Sequence, residues 1–119
     1  MSYIDGFVLP VLAGNKDAYL AMSERMNQLL FEFGATRVVE AWENDVPDGK
    51  VTDFRRAVQA KEGEKIVFSW IVWPSREARD EGNRRMMADP RMTEMGDAMP
   101  VDGQRMILGG FDVVFDKGA

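Results

Sequence analysis

Apolar and polar positions alternate with two distinct periods along the chain, and the switches between them mark the elements. Residues Tyr3 to Leu12 are dense in Tyr, Ile, Phe, Val and Leu and end at Gly14-Asn15, which predicts a strand. Asn15 is then placed to cap a helix. Tyr19, Met22, Met26, Leu29, Leu30 and Phe33 fall on one face of that helix, and Gly34 is placed to stop it. A second strand is expected over Thr36 to Glu43, with Val38, Glu40 and Trp42 on one side, followed by an acidic, turn-rich loop around Pro47-Asp48-Gly49. Phe54 to Lys61 fits either a short helical turn or one arm of a hairpin closed at Glu62-Gly63-Glu64. Lys65 to Trp73 is nearly continuous in apolar residues, the mark of a central strand buried on both faces. Pro74 ends it, Ser75 caps a second helix to about Ala88, and Asp89-Pro90 breaks that helix. A further helical turn within Arg91 to Met99, a turn at Pro100 to Gly103 and a last strand over Arg105 to Phe115 complete the reading.

The order strand, helix, strand, strand, helix, strand is the ferredoxin-like α+β plan, four antiparallel strands with two helices on one face. It implies one domain across residues 1–119. Both faces of its inner strands are apolar. Tyr3, Phe7, Leu9 and Val11 oppose Ile4, Val8 and Leu12, while Ile66, Phe68, Trp70 and Val72 oppose Val67, Ile71 and Trp73. Helices cover one face only, and a second copy is the simplest cover for the other, so a homodimer of the α/β-barrel type is expected.

Composition narrows the chemistry. With neither Cys nor His among 119 residues, disulfides, thiolate nucleophiles, Cys-ligated zinc, Ser-His-Asp catalysis and haem held by a proximal His are excluded. A net charge of −5 argues against nucleic acid as a partner. Ser75 to Arg91 holds five Arg against four acids, which is no basic stripe. The start carries neither a basic region nor a long apolar one, and no apolar run is long enough to span a bilayer; a cytoplasmic protein without membrane contact is expected.

Without His, proton transfer falls to Asp5, Glu40 or Tyr3, each needing a shifted pKa. Asp5 shares a strand face with Tyr3, Phe7 and Leu9, where lost hydration would raise its pKa and suit it to acid–base work; the alternative is a wet or backbone-bonded position near the strand end. Glu40, between Val38 and Trp42, either pairs with an Arg, lines a pocket or faces solvent from an edge strand. A third strand should separate the two acids, so they are not expected to act as a pair. Trp42, Trp70 and Trp73, with Ser69 as a polar handle, could floor a pocket for a flat organic ligand or serve only as core and interface. Arg79 and Asn83 stand one turn apart on the second helix, beside a packing stripe of Ala78, Gly82 and Met86, and either clamp a carboxylate or carbonyl or remain a surface stripe. Gly109-Gly110 lacks a phosphate-loop context and marks a bulge or a close backbone approach. Asp45, Asp48 and Asp53 lack the order of a calcium loop, and neither metal nor cofactor is expected. The nine methionines suit an adaptable pocket or interface alike.

The segments Tyr-Ile-Asp-Gly-Phe-Val at 3–8, Ala-Thr-Arg-Val-Val-Glu-Ala-Trp at 35–42 and Asp-Val-Pro-Asp-Gly-Lys-Val-Thr-Asp-Phe at 45–54 are shared with a known group. So are Val-Phe-Ser-Trp-Ile-Val-Trp-Pro-Ser at 67–75, Asp-Pro-Arg-Met at 89–92 and Gly-Gly-Phe at 109–111. On these the chain resembles the YbaA-like family of small bacterial proteins of unknown function. The resemblance runs the length of the chain and implies a dimeric α/β barrel, without assigning catalytic residues. By fold analogy with the wider superfamily, a small organic ligand would sit between sheet and helices, in a binder or a cofactor-independent oxygenase or isomerase; a non-catalytic dimeric module is the alternative.

Overall fold

A computed structural model describes residues 2–96 and 99–119. Four strands, β1 (Tyr3–Leu12), β2 (Arg37–Trp42), β3 (Glu64–Trp73) and β4 (Ile107–Asp112), form one sheet in the order β2-β3-β1-β4. Every neighbouring pair is antiparallel. Helices α1 (Lys16–Glu32) and α3 (Arg76–Ala88) cover one face, and short helices α2 (Phe54–Ala57) and α4 (Pro90–Gly96) complete the set. The fold is the ferredoxin-like one.

Local chemistry explains most boundaries. Ser75 caps α3, its hydroxyl accepting the Ala78 N–H at 3.0 Å. Gly34 follows α1 with φ 115°, and the Ala35 N–H closes back onto the Leu30 carbonyl at 2.9 Å. Asn15 supplies no side-chain cap; the chain enters α1 through a 3-10 turn, Ala13–Asn15, instead. Residues 54–61 settle as a helical turn, because the Asp53 carboxylate accepts the Arg56 N–H at 2.7 Å and starts α2. The last strand is shorter than its apolar run. Before it, Arg105 is turned aside to Glu64 and Asp102, and beyond Asp112 the Val113 N–H still bonds to the Ser2 carbonyl. Pro10 is tolerated in a central strand because β4 pairs with β1 only as far as Val8.

The core lies between sheet and helices in two clusters. Tyr3, Leu29, Leu30, Ala35, Trp73 and Met86 fill one end. Leu9, Val11, Tyr19, Met22 and Val67 fill the other. Gly82 brings α3 against β3 as its packing stripe predicts, since a Cβ there would lie 2.5 Å from Trp73 Cζ3. The opposite face is covered at one end only, where Val58 packs on Val8 and Ile66. The rest of it is an apolar groove of about 750 Å³. Ile4, Val8, Phe68, Trp70, Ile107 and Phe111 line it, and the Phe111 ring lies over Gly6 and Gly109.

Candidate functional site

Strand register lays the helix-side residues out in rows. Phe7, Ser69 and Glu40 share one row across β1, β3 and β2, and Asp5, Ile71 and Val38 share the next. Two strand spacings and one row therefore separate Asp5 from Glu40, roughly 12 Å of sheet, so the two acids form no dyad.

The two rows differ in what lies above them. Over the Glu40 row is a cavity of about 150 Å³. Its floor is Phe7, Ser69, Ile71 and Val38, its wall is Tyr19, Met22, Ser23, Met26 and Leu30 from α1, and its rim is Met99, Val101 and Met106. Tyr19 and Ser23 stand one helical turn apart and both reach Glu40. The Tyr19 hydroxyl donates to Oε2 at 2.7 Å and the Ser23 hydroxyl to Oε1 at 3.0 Å. Burial pushes the Glu40 carboxyl above the usual carboxylate range, and the two hydroxyl donors only partly offset it. Burial, then the adjacent Glu40 charge, pushes the Tyr19 phenol far above its ordinary value. Tyr19 is accordingly a fixed donor, and Glu40 is the group able to exchange a proton there.

The cavity extends over Ile71 and Val38 of the next row but does not reach Asp5. Asp5 is 8% exposed and accepts the Trp73 indole N–H at 3.0 Å. Arg79 Nη1 lies 3.4 Å from its other oxygen. The same guanidinium donates to the Tyr3 hydroxyl at 2.8 Å and stacks 4.8 Å from that ring's centre. Its Nε lies 3.0 Å from Asp80 but without hydrogen-bond geometry. Burial raises the Asp5 pKa, with Arg79 and then Trp73 pulling it back. Gly110 closes the cluster, since a Cβ there would collide with the Tyr3 hydroxyl. This is the close approach that the glycine pair signals.

Of the residues singled out by sequence, the structure brings only Glu40 and Ser69 to the cavity. Trp73 is fully buried core. Trp70 is on the opposite face, edge-on to Phe68. Trp42 packs with the second core cluster, with Lys16 Nζ 5.5 Å over its ring. Arg79 is paired with Asp5 and Tyr3, and Asn83 is exposed on α3; neither lines this cavity. Strand alternation and helix phase fix a face, but not where along that face a void remains. Tyr19 and Ser23 were missed as site residues. Their signal was an i, i+4 pair of hydroxyls on an otherwise apolar helix face. Among the described residues no three Asp or Glu side chains gather as a metal site requires. Nor is any helix among them long and apolar enough to cross a membrane.

The family described as "Protein of unknown function (DUF1428)" matches residues 2–103. The chain belongs to this family. It is also 58% identical over 117 residues to the uncharacterized protein YbaA of Escherichia coli (strain K12), covering 98% of this chain and all of that one. Among solved structures it is similar to SnoaB, a cofactor-independent oxygenase from Streptomyces nogalater, with a TM-score of 0.60 and 14% identity over 98% of this chain and 97% of that one. It is also similar to Rv0793 from Mycobacterium tuberculosis, with a TM-score of 0.54 and 12% identity over 99% and 100% of the two chains. At these identities the structural matches establish the shared fold.

Proposed function

We propose that this DUF1428 protein binds a small organic molecule in the cavity between the sheet and α1, and that Glu40 exchanges a proton with it. The observation that carries this reading is a carboxyl held by two hydroxyl donors at the wall of a largely apolar cavity. A cavity of this volume accepts a ligand of about six to eight non-hydrogen atoms, the size of one substituted ring. Met22, Met26, Met99 and Met106 around it are the side chains best able to repack for a larger one. Glu40 removing a proton from one ligand atom and returning it to another is an isomerisation that needs no cofactor. Removing it from an electron-rich ring, leaving an anion for dioxygen to trap, is the start of an oxygenation. The fold shared with a cofactor-independent oxygenase supports the second route as much as the first.

The same reading makes the protein a cytoplasmic homodimer. The apolar groove on the helix-free face leaves Phe68 and Phe111 about half exposed, at 46% and 57%, and a second copy of the sheet is the cover that matches it. Native mass spectrometry of the purified protein tests both parts together. A dimer retaining a defined small organic mass is expected, and Phe68→Asp should shift it to monomer. The retained compound, incubated with the protein in D2O, should gain carbon-bound deuterium with the wild type and not with Glu40→Gln. A monomeric wild type overturns the dimer. A retained compound that exchanges equally with both proteins removes Glu40 from the chemistry.

A further inference from the structure

Half-buried Glu40 differs from the buried acids Asp5 and Glu64 in having, among the described residues, no salt-bridge partner. Asp5 has Arg79, and Glu64 has Arg105, which reaches both its oxygens at 2.7 Å. Among the described residues Glu40 forms no salt bridge, and neither Lys nor Arg lines its cavity. Its two protein partners are hydroxyl donors, one on each oxygen, so the lone pairs that remain need further donors. The other walls are apolar or aromatic, Phe7 and the Tyr19 ring among them, together with four methionines. A carboxylate without a salt-bridge partner, at the wall of a largely apolar cavity, is complementary to a ligand that brings its own positive charge on an apolar body. The protein's net charge of −5 favours the approach of such a ligand and opposes that of an anion.

We propose that the cavity recognises a small organic amine in its protonated form, its ammonium donating to the Glu40 carboxylate and its apolar body lying against Phe7, Ile71 and the methionines. This rests on the cavity being the ligand site and adds the ligand's chemical class. Ser69 on the floor and Asn27 on the wall offer further polar groups to the ligand.

Four probes of one size decide it: benzylamine, benzyl alcohol, toluene and benzoate, each titrated at pH 7 into the full chain while amide chemical shifts are followed. Benzylamine should perturb the amides of Tyr19, Ser23 and Ser69 and bind about tenfold or more tighter than benzyl alcohol or toluene, the ordinary margin of a charge-assisted hydrogen bond. Benzoate should not bind. In Glu40→Gln the preference for benzylamine over benzyl alcohol should vanish while benzyl alcohol binding persists. The wild-type series is sufficient by itself if that variant folds poorly. Equal binding of benzylamine, benzyl alcohol and toluene, or binding of benzoate, overturns the ammonium assignment and leaves the cavity reading in place. No shift at these amides from any of the four overturns both.

Discussion

Asp5 and Glu40 are two acids on the same face of the same sheet, both pushed up in pKa by burial. Their surroundings give them different roles. Asp5 is buried, engaged by an arginine and an indole N–H, and outside the cavity. Glu40 is held by two hydroxyls beside a void. A raised carboxylate pKa alone therefore does not mark a site; the space next to the carboxylate does. Asp5 ties β1 to β3 and α3, and Glu40 is free to meet something that is not protein.

Substitutions sharpen this contrast in order of effect. Asp5→Ala leaves Arg79 and the Trp73 N–H without their acceptor in a closed space and should cost about 3 kcal/mol in urea unfolding. A loss under about 1 kcal/mol would erase the distinction between the two acids. Gly82→Ala forces a methyl group into Trp73 and should cost about 2 kcal/mol by the same measurement, with the cavity side of the molecule unaffected.

The Glu64–Arg105 pair gives a pH-dependent effect. Its two charge-assisted hydrogen bonds from Arg105 hold the Glu64 carboxyl down at about 2, against an ordinary 4.5. A depressed carboxylate stabilises the fold fully above pH 4.5, and that contribution drains away as pH falls toward 2. Glu64→Gln should flatten the acid limb of melting temperature against pH in that window, and an unchanged limb would place the acid sensitivity elsewhere.

The smallest effect is expected at Glu40, and its sign is opposite. A raised carboxylate costs stability as pH climbs above 4.5, because the folded protein resists ionisation that the unfolded chain accepts. Without ligand, Glu40→Gln should melt slightly above the wild type at pH 7 and level with it at pH 4. A lower melting temperature at both pH values would make Glu40 a structural residue like Asp5.

Much of the fold was legible in the sequence because it depends on local signals. The apolar run Lys65–Trp73, the Ser75 cap, Gly34 and the Asp89-Pro90 break each carry their own physical cause. The departures are where partners decide. Asn15 looked like a cap, yet the chain turns through a 3-10 segment there. The last strand was expected over Arg105–Phe115 and pairs only over Ile107–Asp112, since Arg105 serves a carboxylate on another strand. The site was legible in type but not in place. Glu40 and Ser69 could be assigned to a face, but the hydroxyls that hold Glu40 lie 17 and 21 residues earlier. Arg79 was read as either a clamp or part of a surface stripe, because Asp5, its partner, lies 74 positions away along the chain.

The three tryptophans make the molecule its own optical instrument. Trp73 is sealed in the interior with its N–H on Asp5, Trp70 stands on the helix-free face beside Phe68, and Trp42 lies under a lysine. With Trp42 and Trp70 changed to Phe, the remaining emission follows the interior through unfolding; with Trp42 and Trp73 changed, it follows whatever comes to cover the open face. One chain, with no dye attached, thus reports separately on its own folding and on its company.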